Sequence, residues 1–125
     1  MKNSSNTKIL GSAGEDLAAK MYSDKGFEIV ARNYRIRSGE IDIIAEKDDL
    51  LVFSEVKALP GGDADVLASE LGPRKQRKIV ETAKYFLKNH RQYSNKIIRF
   101  DAVVVGLPGF ESVHLIENAF SENWT

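Results

Sequence analysis

A small mixed α/β or α+β domain, in the order α-β-β-β-α-β-β, is predicted by three features of this 125-residue chain. Two segments repeat apolar residues at helical spacing. Five others alternate or cluster β-branched and aromatic residues. The turns between the first three of these runs are short enough for hairpins. The length suits one domain, and 42% hydrophobic residues supply one core. Two helices beside five strands then imply a single mixed sheet flanked by helices.

Each element has a local reason. Residues 1–7 are polar and are expected as a disordered tail, which leaves 8–125 as the single domain. From about Thr7 to Lys25, Leu10, Ala13, Leu17, Ala18 and Met21 recur as on a helix face, and Gly26 fits a C-terminal stop. Phe27 to Arg35 reads as a strand, and Ser38-Gly39 as a turn. In Glu40 to Glu46, alternation predicts Ile41, Ile43 and Ala45 on one face, with Glu40, Asp42 and Ile44 on the other. Lys47-Asp48-Asp49 turns the chain into a third strand, Leu50 to Leu59, which completes an antiparallel meander. A loop follows from Pro60 to Gly72. Pro73 opens a helix to about Asn89, with an apolar stripe of Ile79, Val80, Ala83, Phe86 and Leu87. Lys96 to Gly106 is an apolar run typical of a strand covered on both faces. Pro108-Gly109 is a turn, and Glu111 to Glu117 alternates as a last strand.

Composition excludes several functions. There is no cysteine, so disulfides, zinc–thiolate sites and cysteine nucleophiles are ruled out, and two histidines argue against a multi-histidine metal centre. No apolar run approaches the roughly 18 residues of a membrane span, and a soluble, cytoplasmic protein without a small-molecule cofactor is expected. Eighteen bases balance eighteen acids, so binding of polyanions by bulk charge is excluded. The distribution is uneven, however. Residues 38–70 carry a net charge of −7 and residues 71–99 carry +8. Such runs are often solvated faces, but they also fit a carboxylate cluster beside a phosphate-binding surface.

The residues that suggest chemistry lie in the acidic block. Glu55 and Lys57 share one face of the third strand, in otherwise apolar surroundings. Burying them is costly unless they are paired or metal-bound. Asp42, in the neighbouring strand, would bring a second carboxylate near the first. Two converging carboxylates repel and demand a cation, and oxygen-only ligands point to Mg²⁺ or Mn²⁺. A structural ion pair is the alternative. Glu15 lies beside the apolar stripe of the first helix, where it either reaches the carboxylates or serves the helix dipole.

The second helix begins with Arg74, Lys75, Gln76, Arg77 and Lys78. Four cations there oppose the helix dipole, a cost that a bound polyanion would reverse. Arg32, Arg35 and Arg37 form a second basic cluster around Tyr34, which is expected to be a half-buried strand residue.

Asp42 followed by Glu55-Val56-Lys57 resembles the D-x(n)-E-x-K signature of the PD-(D/E)XK nuclease superfamily. More closely, the chain resembles the YraN-like family of predicted bacterial endonucleases, which are similar to archaeal Holliday-junction resolvases. The matching segments are Gly14-Glu15 with Leu17-Ala18-Ala19, Ala31-Arg32-Asn33-Tyr34-Arg35, Gly39 through Ala45, Leu51 through Lys57, Lys75-Gln76-Arg77 and Arg99-Phe100-Asp101. The resemblance implies a restriction-endonuclease-like core. It implies that Asp42 and Glu55 ligate a divalent ion, that Lys57 is the catalytic lysine, and that Glu15 completes the site. It also raises Lys75 and Gln76 as residues facing the site, and Glu40 as an outer ligand. Two positions depart from the family pattern. Ala58-Leu59-Pro60 lacks a further base after the lysine, and Ser54 replaces a typical valine.

The expectation is a Mg²⁺- or Mn²⁺-dependent DNA endonuclease with Glu15, Asp42, Glu55 and Lys57 at its centre. Arg35, Arg37, Arg74, Lys75, Gln76, Arg77 and Lys78 would contact the nucleic acid. Cutting a junction would require a homodimer. The alternative is a catalytically inactive nucleic-acid-binding module on the same fold.

Overall fold

Five strands form one mixed sheet in the spatial order β1-β2-β3-β4-β5, with a helix on each face. The computed structural model describes residues 4–58, 71–106 and 113–121, with side chains from Ala13 onward. Most of the expected 60–72 loop and the Pro108-Gly109 turn lie outside the described residues. The elements are α1 (Ser4–Asp24), β1 (Glu28–Ile36), β2 (Gly39–Lys47), β3 (Leu50–Ala58), α2 (Pro73–Asn89), a short 3₁₀ turn (Arg91–Tyr93), β4 (Ile97–Val105) and β5 (Val113–Phe120). The expected α-β-β-β-α-β-β order holds.

Helix α1 begins at Ser4, three residues before the expected Thr7, and so takes in part of the stretch read as a tail. Ser4, Ser5 and Asn6 belong to a class that starts helices without an apolar signal, which is why periodicity overlooks them. The other end is a Schellman motif. Gly26 adopts φ 94°, its N–H donates to the Ser23 carbonyl at 3.0 Å, and the Phe27 N–H donates to the Tyr22 carbonyl at 2.9 Å. The Phe27 ring then meets Tyr22 edge-on, with centroids 5.3 Å apart. Gly26 therefore stops the helix as expected and directs the chain into β1.

Strands β1, β2 and β3 form the expected antiparallel meander, whereas β3 and β4 run parallel across the α2 connection. β4 is an interior strand whose apolar residues from Phe100 to Val105 belong to the core, whereas Ile97, read as part of the covered run, is exposed at the strand's start. On one face, Ile41, Ile44, Phe53, Phe100 and Val104 pack against Ile79, Val80, Ala83 and Phe86 of α2. On the other, Ile43, Ala45, Val52, Val103 and Val105 pack with Ala18 and Tyr22 of α1. Tyr34 is half-buried as expected, edge-on to Phe86 with centroids 5.2 Å apart.

The face pattern expected for β2 is corrected here. Ile41 lies on the α2 face with Ile44, while Ile43 and Ala45 lie on the α1 face. The alternation breaks at Asp42. Opposite it, Asn33 adopts φ 53°, and the β1–β2 ladder passes from Arg32↔Ile43 to Tyr34↔Ile41 without pairing the residues between. Ala31 and Tyr34 likewise share the α2 face although three residues apart. A local irregularity of this kind re-aims a side chain, and a strict two-residue period cannot foresee it.

A buried polar network ties four elements together. Asp101 of β4 is fully buried and accepts four hydrogen bonds: two from the Arg99 guanidinium at 2.8 and 2.9 Å, one from Tyr22 Oη at 2.9 Å and one from the Asn118 N–H at 3.0 Å. Tyr22 Oη, with one proton to give Asp101, accepts from Ser54 Oγ at 2.9 Å. Burial first, and the Asp101 charge second, push the Tyr22 hydroxyl far up, so it stays a donor. The network joins α1, β3, β4 and β5. Replacing Asp101 by Ala strips the Arg99 guanidinium of its buried partner, leaving only the exposed Glu117 at 3.7 Å, and should lower the unfolding free energy by about 3–5 kcal/mol, whereas Tyr22→Phe should cost about 1–2 kcal/mol. Urea unfolding reads both values, and an Asp101→Ala loss below that of Tyr22→Phe would contradict Asp101 as the hub.

Candidate metal and nucleic-acid site

The site begins where β2 and β3 part. Their ladder ends at Ile43↔Ser54. Continuing that register by one step would set Asp42 opposite Glu55, but the two backbones do not pair there. The Val56 N–H donates instead to Asp42 Oδ2 at 2.8 Å. A side-chain carboxylate has taken the place of a backbone carbonyl. This satisfies a strand N–H and fixes the carboxylate in the opening between the strands.

Asp42 is half-buried and Glu55 is 5% exposed. Burial first, then the Glu55 charge, push the Asp42 carboxyl up to about 7, with smaller contributions from Glu15 and Glu40. The Val56 hydrogen bond opposes the shift. The carboxylates thus lie close enough to repel, which is the condition that a bound cation relieves.

Lys57 lies on the Glu55 side of β3 as expected, with Nζ 3.8 Å from Glu55 Oε2. From α2, Lys75 Nζ approaches the same oxygen at 3.4 Å. Both expected lysines therefore reach Glu55. Gln76 does not: its side-chain amide donates to the Leu71 carbonyl at 2.7 Å and secures the start of its own helix. Glu40 is turned toward Arg35, 3.3 Å away.

Glu15 sits near enough to act on Asp42, but Arg32 holds it at 3.6 Å and also bonds Asp16 at 2.8 Å. Arg32 therefore fastens β1 to α1. Sequence reasoning groups it with the other arginines, whereas its true partners are 16 and 17 residues away. Among the described residues no three acidic or histidine side chains form a ready-made metal cage. Two carboxylates on adjacent strands still fit a hard, oxygen-preferring ion that keeps several waters and substrate oxygens as ligands. Asp42 and Glu55 are the residues that could hold it.

The basic residues converge beside this opening. Arg37, Arg74, Arg77 and Lys78, with Ser38 and the single acid Glu81, line one shallow hollow between the β1–β2 turn and α2. Arg35, Arg37, Lys75 and Lys78 line an adjoining one. Gly39 makes this contact possible, because a Cβ there would lie 2.6 Å from Thr82 Oγ1 and 3.3 Å from the Lys78 carbonyl. Two clusters about forty residues apart in sequence thereby form one cationic surface at the start of α2. No side chain caps that helix and no acid occupies its first turn, so charge and dipole there both favour an anion.

Residues 14–105 match the model of an uncharacterised protein family, UPF0102. The matched span contains Glu15, Asp42, Glu55, Lys57 and Lys75. A UPF0102 protein of Treponema pallidum is 47% identical over 98 residues, covering 78% of each chain. One of Lachnoclostridium phytofermentans is 42% identical over 115 residues, covering 92% of this chain and 95% of the relative. One of Caldicellulosiruptor bescii is 36% identical over 118 residues, covering 92% and 99%.

Because Asp42 holds its proton more tightly folded than unfolded, its contribution to stability is full below the ordinary value of 3.8 and is lost as pH rises to about 7. Thermal melts in EDTA should therefore fall by about 5 °C between pH 5 and pH 8. Asp42→Asn should flatten that slope, and an unchanged slope in the variant would place its origin elsewhere.

Proposed function

We propose that this chain, which belongs to the uncharacterised protein family UPF0102, is a divalent-metal-dependent endonuclease that hydrolyses DNA phosphodiester bonds. One observation carries the reading: two carboxylates from separate strands, Asp42 and Glu55, meet at an opened ladder with Lys57 beside them and a cationic surface alongside. Cleaving a nucleic-acid backbone needs those parts together. It needs oxygen ligands for Mg²⁺ or Mn²⁺, a positioned cation, and a surface that grips phosphates.

Asp42 and Glu55 would hold the ion, with the backbone carbonyl at Val56 and Glu15, through water, in support. When bound, the ion lowers the pKa of a water and polarises the scissile phosphate. Lys57 positions the attacking water and stabilises charge on a phosphate oxygen. Arg35, Arg37, Arg74, Arg77 and Lys78 hold the flanking backbone. Among the described residues no helix is long and apolar enough to cross a membrane. We place the reaction in the cytoplasm. Cutting both strands of a junction calls for two such sites, hence a symmetric pair of chains.

A nucleic-acid-binding module without chemistry is the second reading. The observation favouring it is that Glu15 is held by Arg32, leaving two carboxylates rather than three.

Cleavage of labelled four-way junctions, flaps, duplexes and single strands with Mn²⁺, Mg²⁺ or EDTA separates the two. Metal-dependent nicks that vanish in Asp42→Ala and Glu55→Ala are expected. Tight binding with no cleavage, and no calorimetric signal for Mn²⁺, would establish the binding module. Lys57→Ala should still bind Mn²⁺ yet lose cleavage by at least about a hundredfold, and normal cutting by that variant would remove lysine from the mechanism. Neutralising Arg74 or Arg77 should weaken binding across all sequences and lower the salt-dependence slope by about one each.

A further inference from the structure

Glu55 is nearly buried, and two lysines converge on one of its oxygens without closing to a short hydrogen bond. Lys57 stands at 3.8 Å and Lys75 at 3.4 Å from Oε2. The two differ in where they are rooted. Lys57 shares the strand of Glu55, and its side chain is 26% exposed. Lys75 enters from the first turn of α2, and its side chain is 42% exposed. It also lines the cationic hollow formed with Arg35, Arg37 and Lys78. Its ammonium therefore stands at the boundary between two sites that want positive charge for different reasons. On one side are repelling carboxylates. On the other is the surface suited to a phosphate chain.

We infer that Lys75 is an exchangeable cation: it neutralises Glu55 while the carboxylates lack a divalent ion, and moves to a backbone phosphate of the nucleic acid once the ion has taken its place. This rests on the endonuclease reading and adds to it a coupling between ion and nucleic acid. The long, flexible stem of lysine allows the transfer, and its point charge suits either partner. A divalent ion on Asp42 and Glu55 removes the attraction that holds Lys75 and adds repulsion. The released ammonium then joins the phosphate-binding set. Linkage makes the effect reciprocal, so each ligand raises the affinity for the other. Arg77 lies in the hollow lined by Arg37, Lys78 and Glu81 and, among the described residues, makes no ion pair with Asp42 or Glu55, so its contribution should not depend on the ion.

The test measures binding of a fluorescent DNA duplex at several NaCl concentrations, in EDTA and in Ca²⁺, with the DNA checked to be intact afterwards. Thermal melts confirm the fold of each variant. Lys75→Met should cost little affinity in EDTA and about fivefold in Ca²⁺, with the salt slope reduced by about one in Ca²⁺ alone. Arg77→Met should cost the same factor in both. Glu55→Gln removes the partner of Lys75 without any ion, so adding Lys75→Met to that variant should cost about fivefold even in EDTA. Equal losses for Lys75→Met with and without Ca²⁺ would overturn the exchange and leave the endonuclease reading intact. A wild-type protein that under either condition binds neither this duplex nor a four-way junction, flap or single strand would overturn both.

Discussion

The hydrogen bond from the Val56 N–H to the Asp42 carboxylate is the interaction on which the candidate site depends. A strand N–H needs an acceptor, and in an unbroken ladder β2 would offer a backbone carbonyl. By offering a side chain instead, Asp42 parts the two strands without leaving the donor unsatisfied. The opening sets two carboxylates near each other at the end of the β2–β3 ladder. The cost is written in the Asp42 carboxyl, pushed up to about 7 by burial and by Glu55. The left-handed Asn33 across the β1–β2 ladder belongs to the same irregularity, which separates Ile41 and Ile43 onto opposite faces.

Helix α2 supplies the other half of the arrangement. Its inner face is ordinary core, with Ile79, Val80, Ala83 and Phe86 on the sheet. Its first turns break the usual rule for helix ends, with bases where acids stabilise. Gly39 lets the β1–β2 turn press onto Thr82 and the Lys78 carbonyl, which adds Arg35 and Arg37 to the same surface. Repulsion among these cations is tolerable because acids lie close by: Glu40 meets Arg35, and Glu55 meets Lys75. The acidic and basic blocks of the sequence thus become facing partners in space.

The second buried carboxylate shows why burial alone does not make a reactive group. Asp101 is more deeply buried than Asp42, yet it receives four donors, two of them from a guanidinium. Its bonding capacity is filled, and it acts as a fastener for α1, β3, β4 and β5. Asp42 accepts one backbone N–H and faces other carboxylates. The same side chain serves two ends because one environment is saturated with donors, whereas the other gives Asp42 a single backbone donor and sets it against neighbouring carboxylates.

Much of this could be read from the chain by itself. Periodicity, Gly26 and Pro73 placed every helix and strand to within a few residues, because those signals act over one or two turns of chain. Asp42, Glu55 and Lys57 stood out because charged groups inside apolar runs need a reason to be there. Asp101, lone between Phe100 and Ala102 with Arg99 two residues before it, carries a similar signal. Tertiary structure decided the rest. It assigned Arg32 to Glu15 and Asp16, Gln76 to the Leu71 carbonyl, and Lys75 to Glu55. It also moved Ile41 to the face of β2 opposite Ile43 and Ala45. These outcomes depend on which segments meet across the sheet and on local irregularities at Asn33 and Asp42. Local sequence determines how a segment folds, but the partner a long charged side chain finds is set by distances that exist only after the elements have packed.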